Sequence, residues 1–434
     1  MFNVLKSSYA LLLGMMLLMI GNGLQGTLLG VRGPLEGFST TSMSFIMSAY
    51  FAGFMGGSRA APLMIRRVGH VRVFAAVASF ISAALIIFPA VTDPYAWFGL
   101  RVVLGFCFAS VYVTAESWLN NSATNETRGK ALSLYMMVQM AGIVIAQWIV
   151  TRGDPSGFIL FIVPSVLVSI SFAPILLTVS PAPPHAATKD LPIRELFRIS
   201  PLGCAGMLLT GGVFAAQYGM SAVYATLAGL TVDQLSLFIA LIYVGAVVLQ
   251  YPIGWISDRI DRRILIAVIA LIGALAAIFG AVMPTTPLSV YVAAFLIGGM
   301  TNPLYSLLIA HTGDFMQPED MASTSGGLLF LNGVGAVAGP LVAGLMLEQI
   351  GPSGYWVLQG ALLAVVAGYA LWRTTRRAAP ASEDTASYVS ILPTASPMAV
   401  EFAQEWAAET ALAEQAEQAE EAAQDARGDA GDAA

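Results

Sequence analysis

The stretch Gly254-Trp-Ile-Ser-Asp-Arg-Ile-Asp-Arg-Arg263 is a short basic turn between two long apolar runs. A degraded copy, Pro62-Leu-Met-Ile-Arg-Arg-Val-Gly-His-Val71 followed by Arg72, lies 192 positions earlier. A second match has nearly the same offset: Gly105, Tyr112, Glu126 and Gly142 map onto Gly298, Tyr305, Glu319 and Gly335 at 193. Two motifs repeating at one spacing imply a duplicated unit, and internal repeats are how many transporters are built.

Composition says what kind of unit is duplicated. The chain is 57% hydrophobic and 11% charged, with mean hydropathy +0.75. A soluble domain carries about 25% charge, so this is an integral membrane protein. A membrane helix needs about 20 apolar residues. Twelve such runs are expected, near 9–30, 42–65, 72–91, 95–119, 130–151, 157–179, 203–228, 234–257, 264–283, 287–312, 323–348 and 354–373. The first follows Lys6, lacks a small-residue cleavage pattern and reads as a retained helix. Cys107 and Cys204 both sit in apolar runs and read as small core residues, not a disulfide.

Charge gives the orientation. An even number of spans puts both termini on one side, and Lys and Arg mark the cytoplasmic one. Arg66, Arg67, Arg72, Arg128, Lys130, Lys189, Arg194, Arg198, Arg259, Arg262 and Arg263 fall in alternate turns, and Arg373, Arg376 and Arg377 follow the last run. The other loops hold only Arg32 and Arg152. The expectation is a multi-pass cell-membrane protein with both termini cytoplasmic. The net charge of −6 belongs to the tail, where 12 acidic residues and one Arg follow Pro380; the body has 19 basic against 14 acidic residues.

The expected divisions are a six-helix bundle over 1–179, a cytoplasmic linker over 180–202, a second bundle over 203–378 and an acidic tail over 379–434. In the linker, Lys189 to Arg198 mixes charge with Leu191, Ile193, Leu196 and Phe197, as in a short helix lying on a membrane surface. Residues 380–400 are rich in Pro, Ser, Thr and Ala and read as disordered. Residues 401–426 favour helix, with a thin stripe of Phe402, Trp406 and Leu412. They suit a solvated tail or, on a sharper reading, a helix for a cytoplasmic partner.

The stretch 254–263 resembles the loop between the second and third helices of each half in major facilitator superfamily transporters. Gly254, Asp258, Arg259, Arg262 and Arg263 match that pattern, whereas Asp261 replaces its second glycine. The first copy keeps Gly69 but has Pro62 for glycine and Arg66 for aspartate. Val111-Tyr-Val-Thr-Ala-Glu-Ser-Trp118 with Arg128-Gly-Lys130 is similar to the YcaD-like branch. The resemblance implies an all-α integral membrane fold of twelve transmembrane helices in two pseudo-symmetric six-helix bundles. It also implies that Asp258, Arg259, Arg262 and Arg263 form a conformational latch, and that the first, fourth, seventh and tenth helices line a central cavity. A glycine-proline run like that of proton antiporters occurs at Gly335 to Pro340, but in the eleventh helix, not the fifth.

Polar residues inside apolar runs are costly and usually face a cavity or a helix partner. Arg101, Gly105, Tyr112 and Glu116 stand at spacings of 4, 7 and 4 and form one stripe. Arg101 and Glu116 are about 22 Å apart along a helix and cannot pair. Glu116 reads as a proton site, or as a structural bridge to Arg59, Arg128 or Lys130; the resemblance links Arg101 to coupling. Asn22 and Gln25 share a face, as do Gln139 and Gln147, and Gln217 with Ser221 and Tyr224. Asn22, Gln25, Arg101, Tyr112, Glu116, Gln139, Gln217, Tyr224, Asn302 and Tyr305, the symmetry mate of Tyr112, make the expected substrate and proton pathway. Amides in membrane bundles also glue helices together. His311 and Asp314 are expected to pair at an inner gate.

No phosphate loop, zinc spacing, nucleophile elbow or nucleic-acid motif is visible, so no cofactor, metal or enzymatic role is expected. The leading expectation is a secondary transporter for a small polar or weakly anionic organic solute, working by alternating access with protons as coupling ion. The second is a membrane scaffold whose acidic tail binds a partner.

Overall fold

The computed structural model describes residues 2–122, 128–176, 192–283, 286–316, 321–376, 388–396, 399, 400 and 403. Every regular element among them is helical: α1 (Phe2–Leu35), α2 (Thr40–Val68), α3 (His70–Ala90), α4 (Pro94–Ser122), α5 (Arg128–Val150), α6 (Ile159–Ser171), α7 (Ala173–Leu176), α8 (Ile193–Ile199), α9 (Pro201–Leu227), α10 (Val232–Ser257), α11 (Arg262–Val282), α12 (Pro287–Gly313), α13 (Met321–Ile350) and α14 (Ser353–Thr374). Taking α6 with α7 as one unit and setting aside α8, twelve units occupy the positions expected from the apolar runs. Nine helices among the described residues are long and apolar enough to cross a membrane, or ten if α8 and α9, bent by 114°, form one span. The other two units are α2, which carries Arg59, Arg66 and Arg67, and the 13-residue α6.

The repeat is written into the turns. Gly37 and Gly229, 192 apart, both have positive φ (79° and 75°), a conformation glycine adopts without steric cost. Two residues later Ser39 and Thr231 cap α2 and α10, accepting from the backbone N–H of Ser42 and Gln234. Gly69, with φ 85°, ends α2 and allows α3 to start at once.

Packing follows the same symmetry. Within the halves α1 packs on α5 and α9 on α13, α2 on α4 and α10 on α12, and α3 on α6 and α11 on α14. The repeat glycines sit at these crossings. A Cβ on Gly105 would stand 1.8 Å from the carbonyl oxygen of Tyr50, and one on Gly298 would stand 2.1 Å from that of Ile242. Gly142 likewise meets Met16 and Met19, and Gly335 meets Leu208. Small residues at such points let helices approach closely, where lipid supplies no hydrophobic drive.

The halves meet through α2 with α13, α5 with α10 and α1 with α9. On the face away from the basic turns they are sealed. The Thr41 hydroxyl donates to Glu348, and Ser48 Oγ donates to the Val337 carbonyl at 2.5 Å. Gly30 and Gly344 leave no room for a Cβ against Ala222 and Ser44. In the linker α8 buries Leu196 and leaves Ile193 and Phe197 exposed; residues 177–191 lie outside the described set.

The expected disorder of 380–400 needs correcting at 388–396, 399 and 400, the part of that stretch among the described residues. Ile391, Leu392, Ala395, Ser396, Ala399, Val400 and Ala403 are buried. The cause is tertiary: their side chains and backbone groups find partners inside the bundle, which composition cannot report. The acidic stretch beyond Ala403 lies outside the described residues.

Candidate functional site: a polar cavity between the halves

Asn22 on α1, Gln147 on α5, Gln217 and Tyr218 on α9, Tyr243 on α10 and Asn302 on α12 line a narrow pocket between the halves. A second lobe shares Asn22, Tyr218, Tyr243 and Asn302 and adds Tyr112, Gln139 and Met140, together with Leu392, Pro393 and Thr394 of the tail. Hydrogen bonds fix the walls. Tyr218 donates its hydroxyl to Asn22 Oδ1 at 2.7 Å, and Asn22 Nδ2 donates to the Tyr112 hydroxyl at 3.3 Å. Gln217 Nε2 donates to Gln359 at 2.9 Å, and Gln217 Oε1 accepts from Thr301 at 3.2 Å. Thr27 donates to Gln147 at 3.1 Å, and Asn302 donates to the Gly298 carbonyl at 3.3 Å. The pocket walls carry amides and phenols and no charge, an arrangement suited to a neutral polar group.

The two ionisable groups of α4 flank this pocket on opposite sides. Arg101 is fully buried. Its Nη1 donates to Gln25 Oε1 at 2.8 Å, its Nη2 approaches Met47 Sδ at 3.4 Å, and its guanidinium lies 4.7 Å from the Tyr50 ring centroid. No carboxylate pairs with it among the described residues, and its Nε has no hydrogen-bond partner there. Glu116, also buried, accepts from the Tyr135 hydroxyl at 3.1 Å and from the backbone N–H of Ser396 at 2.9 Å. Among the described residues no basic side chain pairs with it; Arg59 instead lies over the Phe330 ring.

Several expected residues stand elsewhere. Tyr224 is off the pocket wall, stacked on Tyr355 at 4.6 Å between centroids and flanked by Trp356 and Phe238. Tyr305 is buried, and its hydroxyl has no partner among the described residues. Its symmetry mate Tyr112 has Asn22; the position equivalent to Asn22 is Phe214, which offers no polar group. The expected His311–Asp314 pair is not made. Asp314 bonds Arg262, and His311 packs edge-on against Phe315. His70 begins α3, and its Nε2 lies 2.9 Å from Ser117 Oγ. Sequence reading missed Tyr218, Gln359 and Thr301 as neighbours of the pocket amides, and it missed the tail.

The basic turn makes several local polar contacts at the α10–α11 junction. Asp258 lies 3.6 Å from Arg262, which also bonds Asp314. Arg259 donates to the Trp255 carbonyl at 2.7 Å and lies over its ring. Asp261 caps α11 through the Arg263 N–H at 2.9 Å and pairs with Arg263 Nη2 at 2.7 Å. Partial burial opposes its charge, yet the Arg263 hydrogen bonds hold its carboxyl below the usual carboxylate range. The aspartate standing where the superfamily has glycine is thus a helix cap.

These features agree with the comparisons. The family model described as Major Facilitator Superfamily matches residues 11–231 and 202–398. An uncharacterized MFS-type transporter, YcaD, of Salmonella paratyphi A is 23% identical over 353 residues, 80% of this chain and 91% of that protein. An uncharacterized MFS-type transporter of Enterobacter sp. (strain 638) is 25% identical over 347 residues, 78% of this chain and 88% of that protein. Among solved structures, a mutant of the nucleoside transporter NupG superimposes with TM-score 0.73 at 16% identity, covering 84% of this chain and 99% of that one. A bacterial homolog of the human lysosomal transporter Spinster, inward-facing and occupied, gives 0.68 at 15%, covering 87% and 97%. With its duplicated bundles, its buried polar centre and a family match across most of its length, the chain belongs to the Major Facilitator Superfamily of membrane transporters.

Proposed function

We propose that this protein is a secondary active transporter that moves a small, neutral or weakly anionic organic solute across the cytoplasmic membrane by alternating access, with proton coupling at Glu116. The observation that carries the reading is the amide- and phenol-lined pocket between the halves, with contributions from α1, α5, α9, α10 and α12. A wall of Asn22, Gln217, Tyr218 and Asn302 offers donors and acceptors without a fixed charge, so it favours a solute with several hydroxyl, amide or ring-nitrogen groups. Nucleosides have that chemistry and belong in the first substrate panel. Arg101, buried beside Gln25 without a counter-charge among the described residues, supports an anionic group on part of the solute or a coupling role. The basic turns 66–72 and 259–263 support a cytoplasmic position for that face under the positive-inside rule.

Glu116 is the only carboxylate in the fourth helix, and its counterpart in the second half is Ile309. A single buried acid in one half suits a one-proton coupling site. The test is uptake of a radiolabelled panel, nucleosides included, into proteoliposomes under an imposed pH gradient. Wild-type uptake should rise with the gradient, and Glu116→Gln should lose that dependence. Gradient-driven uptake unchanged in Glu116→Gln would exclude Glu116 as the proton site.

A further inference from the structure

The tail segment beginning at Tyr388 enters between the halves from the face that carries the basic turns. Its backbone polar groups are met there by side chains from both halves. The Tyr388 N–H donates to Asp258 Oδ1 at 2.8 Å. The Ile391 N–H donates to Ser306 Oγ at 2.9 Å, while the same hydroxyl is 3.0 Å from the Ile391 carbonyl. The Ser396 N–H donates to Glu116 Oε2 at 2.9 Å. A buried backbone group without a partner is costly, so this pairing with α10, α12 and α4 marks a fitted site rather than chance burial.

Shape agrees with hydrogen bonding. The Tyr388 ring lies against Gly254, where any Cβ would stand 2.5 Å from Tyr388 Cδ1. Pro393 occupies the second position of a turn closed by Ala395 N–H to Leu392 O at 2.9 Å, which folds Leu392 to Thr394 against the pocket. Ile391 and Leu392 are buried at 2% and 6% exposure. The eleven residues from 377 to 387 join the end of α14 to this segment and reach at most about 40 Å.

We propose that residues 388–396 are a tethered plug: the cytoplasmic mouth of the cavity is a docking site for the chain's own tail, and the seated tail blocks solute access and opposes rocking of the halves. It occupies the same groups the carrier would use. Asp258 of the basic turn receives Tyr388, and Glu116 receives Ser396. Because one strand of tail binds α4 of the first half and both α10 and α12 of the second, the halves cannot separate on this face without releasing it. Tethering supplies an effective concentration near millimolar, so modest affinity suffices to keep the plug seated. The inhibitory meaning rests on the transporter reading; the seating does not.

The experiment uses Met140→Cys, on the pocket wall beside the tail, in a Cys107→Ala, Cys204→Ala background. Maleimide labelling is followed in inside-out vesicles for the full chain, for the full chain with Leu392→Asp, and for a chain ending at Ala378. A seated plug predicts labelling about tenfold faster in both altered chains, with protection restored when a synthetic peptide of residues 386–404 is added to the shortened one. A second pair, Met136→Cys with Ser390→Cys, should cross-link in membranes, since Ser390 Oγ lies 3.7 Å from Met136 Sδ. Equal labelling in all three chains, or failure of the pair to cross-link, overturns the proposal. Faster labelling with no uptake of any panel solute leaves the plug standing and counts against the transporter reading.

Discussion

At the scale of single residues the structure separates groups that hold the protein together from groups that face the cavity. Arg262 is of the first kind. Its side chain and that of Asp314 are each 3% exposed and are bonded to each other. Removing one partner of a buried pair strands a charge and costs about 3–5 kcal/mol. Arg262→Ala should therefore lower the thermal midpoint in detergent by many degrees, and Arg262→Met with Asp314→Leu should recover most of the loss. A double variant no better than the single would show that the pair is not the source of the effect. Asn22, Gln139, Gln217 and Asn302 are of the second kind, and they were legible as polar residues in apolar runs. Tyr224 was misread for a physical reason. It shares a stripe with Gln217, but seven residues carry it about 10 Å further along α9, past the pocket and into the aromatic cluster. Tyr218 was overlooked because it neighbours Gln217 and falls off that stripe; the pocket wraps far enough around α9 to meet both.

At the scale of elements, glycine spacing set the architecture. Gly105 and Gly298 were visible as a repeat, and the structure places both at crossings where a neighbouring carbonyl occupies the space of a Cβ. Gly105→Ala and Gly298→Ala should each destabilise by at least about 1–3 kcal/mol, since backbone cannot yield as a side-chain tip can. Gly368→Ala, on α14 with nothing within 4 Å of its Cβ, is the control and should be neutral or stabilise by up to about 1 kcal/mol. Thermal unfolding of the three variants decides the matter; a control as damaging as the crossings would mean that the close backbone contacts are not the source of the loss. The tail could not be read this way. Its Ser, Thr, Pro and Ala content lacks an apolar period, and its burial depends on backbone bonds to Asp258, Ser306 and Glu116, which lie 130, 85 and 280 positions away.

At the scale of the whole molecule the two halves share a fold but not a chemistry. Arg101 and Glu116 have Ala294 and Ile309 as counterparts, so the ionisable groups of the fourth helix have no equivalents in the tenth. Symmetry supplies two related bodies, and asymmetry supplies one buried acid and one buried base, both on α4 of the first half. The halves touch tightly on the face away from the basic turns, through Thr41 with Glu348 and through Gly30 against Ala222, while the tail fills the opposite mouth. On the proposed alternating-access function this arrangement is one end state, and the account requires a second in which the sealed face opens. The direct measurement is the distance between spin labels on Leu35→Cys and Leu227→Cys, exposed symmetry mates at the ends of α1 and α9, in liposomes with the native cysteines replaced by alanine. The account predicts two populations, a short one matching the sealed face and a longer one that grows when the tail is removed or the pH is varied. A single short distance under every condition would contradict it.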